Sequence, residues 1–152
     1  MKLFTGLAIA VALIAAPSAA SAAQICAWLT ETTKADDLHD FSLWLQSDAE
    51  LEIYYKMAGE GLVTESSKLY SPGSGTFVLH AGKAAKPWGF GATLNPPGDI
   101  DIIAEIHKKP VDIFSDAPSP LLASFAFKRH VPESEKKAPA TFSTKQCKTA
   151  TE

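Results

Sequence analysis

The sequence predicts a mostly β protein: an antiparallel β-sandwich or small barrel of about eight strands, with at most one short helix and its ends tied by one disulfide. Apolar and polar residues alternate with a period of two along several segments, which is typical of half-buried strands. Turns rich in proline and glycine separate these segments at intervals near ten residues, as in sandwiches and barrels. Cys26 and Cys147 stand close to the two ends of the chain that follows an N-terminal leader.

The clearest alternation lies in residues 41–57. A first run places three apolar residues on one face, and a second run places four there: Phe41, Leu43 and Leu45, then Leu51, Ile53, Tyr55 and Met57. Because only the polar residues 47–50 separate the two runs, we expect them to form an antiparallel hairpin. A hairpin alone is barely stable, so the other segments must supply a larger sheet and a core. The alternative for the first run is a helix that begins within residues 33–40.

Further strands are predicted along the rest of the chain. They cover residues 25–32, 62–70, 76–80, 88–94, 100–107, 111–115, 121–128 and 141–146. Turns are predicted from composition at residues 71–75, 95–99 and 116–120. Trp28, in the first strand, is expected in the core because of its bulk. A helix from Ser119 is the less favoured alternative for residues 121–128, since no acidic residue completes a capping box there.

Residues 1–22 have the pattern of a signal peptide. Lys2 precedes an apolar run, and Ala20-Ser21-Ala22 fits the small-x-small rule for cleavage. Cleavage after Ala22, or alternatively after Ala23, leaves residues 23–152 as one β-rich domain. An uncleaved N-terminal anchor is the other interpretation. The mature chain contains no further candidate membrane span, so we expect a periplasmic or secreted protein.

The two cysteines predict a disulfide, since an even pair in an exported protein is usually bonded. Closing a loop of about 120 residues stabilises the fold by roughly 4–5 kcal/mol in the chain-entropy model. Redox cysteines usually stand close together in sequence, so we expect the Cys26–Cys147 bond to be structural. It would bring the first and last strands side by side, with Cα atoms within about 7 Å.

Composition and motifs argue against several functional classes. The formal net charge is −3 and the charges are well mixed, whereas a nucleic-acid binder concentrates Lys and Arg. No cofactor or metal is expected, because Gly89-Phe90-Gly91 lacks the rest of a dinucleotide-binding motif and the histidines are scattered. Gly73-Ser74-Gly75 does not have the spacing of a nucleophile elbow. No catalytic residue is therefore nominated.

Aromatic residues give the one indication of a binding site. Trp44 and Tyr54 fall on the polar faces of their strands, and Trp88 and Phe90 follow a loop that carries two lysines. Exposed aromatic residues on a rigid sheet are frequent binding hot spots. The sequence therefore predicts a non-catalytic periplasmic or secreted domain that binds an envelope protein or glycan through these four residues. The alternative for the aromatics is packing in the core.

The alternative function is a small envelope hydrolase or metal-dependent enzyme that uses scattered His and Asp residues. The candidate residues for its pocket are His39, His80 and His107. In gross plan alone, as an exported, acidic, β-rich chain with one disulfide, the protein resembles bacterial envelope proteins such as periplasmic lysozyme inhibitors. No motif carries that likeness, so it assigns no residue a role.

Overall fold

The computed structural model describes residues 21–35, 38–64, 67–70, 73–93, 98–110, 118–131 and 144–151. This part of the chain forms nine strands and no helix, so it contains no helix long and apolar enough to cross a membrane. The strands are β1 Gln24–Ala35, β2 Leu38–Ser47, β3 Leu51–Thr64, β4 Ser67–Tyr70, β5 Gly73–Leu79, β6 Ala85–Thr93, β7 Gly98–Lys108, β8 Leu121–Val131 and β9 Gln146–Thr149.

The strands form two antiparallel sheets. The first sheet has the order β6-β2-β1-β9. The second has the order β4-β3-β7-β8, and β5 also pairs with β3. The long strand β3 holds both, because β5 pairs with its first half and β4 with its second half. Over the described strands neither sheet closes on itself, so the architecture is the predicted sandwich rather than a barrel.

The core lies between the sheets and is built from every second residue of the central strands. This confirms the predicted alternation, including both faces expected for residues 41–57. Burying one such Leu, Ile or Phe side chain contributes about 1.5–3 kcal/mol. The largest fully buried side chains are those of Phe41, Phe125, Phe127, Ile25, Leu29, Leu43, Leu45, Ile53, Leu79, Ile100, Ile102 and Ile106.

The predicted hairpin of residues 41–57 is wrong. β2 pairs with β1 and β6, whereas β3 pairs with β7 on one edge and with β4 and β5 on the other. Residues 48–50 therefore carry the chain from the first sheet to the second. The alternation correctly showed which face of each run is buried, but a short polar link serves a crossover between sheets as well as a hairpin.

Other segments differ in smaller ways. Residues 38–41 and 121–128 are strands, so the helical alternatives are wrong. The strand predicted at residues 62–70 is divided between β3 and β4. β5 begins at Gly73, inside the predicted turn. A Cβ at Gly73 would lie 2.1 Å from Nε1 of Trp88, so this glycine permits a close approach between the sheets.

Some predictions lie wholly or partly outside the described residues. These are the signal peptide except for residues 21 and 22, the strand at 111–115, half of the strand at 141–146, residues 65–66 and 94 of two further strands, and parts of all three turns.

The predicted disulfide is confirmed. β9 lies antiparallel beside β1, and Cys26 is directly opposite Cys147 in the register. Their Cα atoms are 4.0 Å apart across a sequence separation of 121 residues. The last strand begins at Gln146, later in the chain than predicted, so Cys147 lies within it. The bond therefore holds the C-terminal strand to the first sheet.

Candidate functional site

Two tryptophans stack on the outer face of the first sheet. Trp28 on β1 and Trp44 on β2 are directly opposite each other in the register, so their side chains rise from neighbouring points. Their ring centroids are 6.2 Å apart and their planes are within 6° of parallel. The indole N–H of Trp44 donates a hydrogen bond to the hydroxyl of Thr30 at 3.0 Å. The pair is thus a fixed, partly exposed aromatic surface on a rigid sheet.

Lys145 extends this stack. Its Nζ lies 4.7 Å from the centroid of the Trp28 ring and donates to the side-chain oxygen of Gln46. The Lys145 side chain thus reaches from the start of the C-terminal segment across β1 to Gln46 on β2. We call the outward surface formed by Trp28, Thr30, Ser42, Trp44, Gln46 and Lys145 the tryptophan face.

A groove of about 420 Å³ borders the tryptophan face along β6. Asp40, Ser42 and Lys86 contribute polar groups to its lining. Gly89 lies opposite Ser42, and a Cβ at Gly89 would come within 3.0 Å of the Phe41 carbonyl oxygen. Glycine therefore permits the close approach of β6 to β2 and adds no side chain to the groove. The result is an aromatic stack beside an open channel with hydroxyl, carboxylate and ammonium groups.

The four aromatic residues predicted to bind do not form one site. Trp44 belongs to the tryptophan face. Trp88 and Phe90 pack against the core, with the Phe90 centroid 5.0 Å from that of Phe41 and the Trp88 centroid 4.7 Å from that of Phe90. Tyr54 lies on the outer face of the second sheet. A binding role for each of the four stays a prediction, but the structure separates them into three places.

The expectation that Trp28 lies in the core is wrong. Ile25, Ala27 and Leu29 point inward, so Trp28 must point outward by the alternation of the strand. Sequence reasoning gave too much weight to the bulk of the side chain and therefore missed the partner of Trp44. The alternation along β1 would have shown the outward direction of Trp28, because its two neighbours, Ala27 and Leu29, point inward.

A second groove, of about 650 Å³, lies on the outer face of the second sheet. Tyr54 and Ile103 line it, and Ile103 is 48% exposed. Glu105 contributes a carboxylate that lies 3.2 Å from Nε2 of His107. The other ring nitrogen of His107 donates to the Ser119 carbonyl at 2.9 Å. Both nitrogens are thus engaged, and the imidazole acts as a fixed part of the surface.

The four histidines each contact a different carboxylate. The pairs are His39 with Glu31, His80 with Glu50, His107 with Glu105 and His130 with Asp99. In the described ranges no three or more His, Cys, Asp or Glu side chains converge as a set of metal ligands.

Glu31, His39 and Arg129 form a charged cluster between the sheets. Glu31 is fully buried, with one carboxylate oxygen 2.9 Å from Nδ1 of His39 and the other 3.1 Å from Nε of Arg129. Glu31 and His39 come from the first sheet, and Arg129 comes from β8 in the second. The cluster therefore joins the two sheets from inside. Sequence reasoning missed it, although Glu31 and Arg129 occupy inward positions of their strands.

Comparison with known proteins gives little beyond these observations. No family model matches the chain, and no curated protein matches it. A solved structure of the E. coli curli protein CsgC, in a SeCys form, is 13% identical in sequence, with a TM-score of 0.47. The match covers 67% of this chain and 96% of that one. A likeness of this size says nothing about what this chain binds.

Proposed function

We propose that this protein is a non-catalytic periplasmic or secreted domain that binds a glycan of the cell envelope through the tryptophan face. The observation that carries the proposal is the stack of Lys145, Trp28 and Trp44. Aromatic rings pack against the apolar C–H faces of sugars, and surrounding polar groups pair with sugar hydroxyls. The hydroxyls of Thr30 and Ser42 stand beside the stack to make such pairs.

The surroundings of the stack favour a glycan over a protein partner. Protein interfaces usually have a fully buried core of apolar residues. On the tryptophan face the other outward side chains, such as Ser42 and Gln46, are polar. The large apolar side chains that are well exposed in the described chain all belong to strands of the second sheet: Val78, Ile103 and Leu121.

Two features support an extracytoplasmic location. The disulfide between Cys26 and Cys147 belongs to the same sheet as the tryptophan face, and such bonds persist in oxidising compartments. The pattern of residues 1–22 is that of a signal peptide. Both fit a domain that works among the polysaccharides of the envelope.

Co-sedimentation with purified peptidoglycan sacculi tests the proposal. The mature protein should pellet with the sacculi, and Trp44→Ala should weaken binding about tenfold or more, or about 1.4 kcal/mol. Ile103→Ala is the control and should bind like the unmodified protein, because it removes an exposed large side chain from the outer face of the opposite sheet. Thermal melts should show both variants folded. Equal binding by Trp44→Ala and the unmodified protein, or no binding at all, would contradict the proposal.

A further inference from the structure

β9 contacts both sheets. Its backbone pairs with β1, while the C-terminal segment, residues 145–151, also donates hydrogen bonds to β8 at the edge of the second sheet. Three residues of this segment donate hydrogen bonds to three carbonyl groups of β8. The pairs are Gln146 Nε2 with Ala126 (3.0 Å), Lys148 Nζ with Ser124, and Thr151 with Leu122 (2.9 Å from the backbone N–H and 3.0 Å from the hydroxyl).

The spacing of these acceptors explains what the segment does. In an antiparallel sheet, alternate residues direct both their N–H and their C=O groups away from a given neighbour. The carbonyls of Leu122, Ser124 and Ala126 therefore point away from β7, along the edge where a further strand would pair. Unpaired edges of this kind are templates for association with other chains. Among the described residues, side chains of the C-terminal segment and the Thr151 backbone N–H thus occupy the positions where a further strand would pair with β8.

The position of this segment depends on the disulfide. β9 is four residues long and pairs with four residues of β1. Cys147 lies between Gln146 and Lys148, the residues whose side chains reach β8. The covalent bond to Cys26 therefore holds the middle of the C-terminal segment in place.

We propose that β8 is a strand-pairing site for a second copy of this chain, and that the disulfide-tethered residues 145–151 keep it closed. The side chains of β8 suit an antiparallel pair related by a twofold axis at Phe125. Ser124 would then face Ala126 of the other copy, so small residues meet at the centre. Lys128 would face Leu122 rather than its own counterpart. A parallel pair would instead place like charges next to each other, which is unfavourable.

The direct test opens the cap in the whole mature chain. The double variant Cys26→Ser/Cys147→Ser should form dimers in the micromolar range, measured by light scattering after size exclusion, whereas the unmodified protein should elute as a monomer at the same concentration. Adding Ser124→Pro should abolish the dimer, because proline removes the N–H that would pair with the second copy. The variant should still fold, because this N–H points away from β7 and proline is tolerated at such edge positions. A dimer that persists with Ser124→Pro, or a monomer in which hydrogen exchange shows β9 released, would overturn the proposal.

A second variant avoids the stability lost with the disulfide. Gln146→Ala/Lys148→Ala keeps the bond between the cysteines but removes the side chains that reach Ala126 and Ser124. It should lower the dimer dissociation constant at least about tenfold relative to the unmodified protein. A tenfold change corresponds to about 1.4 kcal/mol in the free energy of association. If this variant remains as monomeric as the unmodified protein, β8 is not held closed by the C-terminal segment.

Discussion

Arg129→Met tests how the charged cluster between the sheets contributes to stability. Glu31 is fully buried and only 8% of the Arg129 side chain is exposed, with 3.1 Å between Nε of Arg129 and the carboxylate. Removing one partner of a buried ion pair costs about 3–5 kcal/mol, because the remaining buried carboxylate loses an oppositely charged neighbour. We therefore expect the free energy of unfolding to fall by about that amount.

Lys128→Met is the matched control, since it makes a closely related change at the adjacent residue of β8. Lys128 lies 3.3 Å from Asp101, but the two side chains are 80% and 49% exposed. An exposed pair of this kind contributes about 0–1 kcal/mol. Burial, rather than the presence of an ion pair, should therefore separate the two variants.

Urea unfolding of the disulfide-bonded protein, followed by tryptophan fluorescence, gives the required free energies by linear extrapolation. Adding Glu31→Gln to Arg129→Met should recover part of the lost stability, because the amide carries no charge. The difference in burial predicts a gap of more than about 1 kcal/mol between the free energies of unfolding of Arg129→Met and Lys128→Met. A smaller gap would contradict the role given to the cluster.

Two further predictions concern the contacts between β6 and the second sheet. Gly73→Ala should destabilise the fold by about 1–3 kcal/mol, because the new Cβ would lie 2.1 Å from Nε1 of Trp88. Urea unfolding measures it, and an unchanged midpoint would show that the indole moves freely. Tyr55→Phe removes the hydrogen bond that the hydroxyl donates to the Pro87 carbonyl at 3.1 Å, so we expect a loss of about 0.5–1.5 kcal/mol. A gain in stability, measured in the same way, would count against that bond.

The sequence predicted which face of each strand is buried, but it did not predict which strands pair with each other. Leu43 and Ile53 lie on the predicted inner faces because alternation is a local property of a strand. Leu43 and Ile53 nevertheless belong to different sheets. Which sheet a strand joins depends on the other strands that pair with its two edges. β1 and β6 take both edges of β2, and nothing in residues 41–57 records this.

The candidate site shows the same limit. Trp88 and Phe90 alternate with glycines, which indicated that they share a face but not that the face is the inner one. Their direction follows from pairing with β2, where Phe90 lies opposite the buried Phe41. The outward direction of Trp28 could have been read from its own strand. Its stacking on Trp44 requires the β1–β2 register, which the sequence pattern does not contain.

The measurement closest to the central claim uses the three tryptophans of the chain as separate probes. Their indole N–H signals can be resolved by NMR and assigned by single substitutions. When soluble peptidoglycan fragments are added, the signals of Trp28 and Trp44 should shift together and saturate, while that of Trp88 stays in place. Shifts confined to Trp88, or three unchanged signals at saturating fragment, would contradict glycan binding at the tryptophan face.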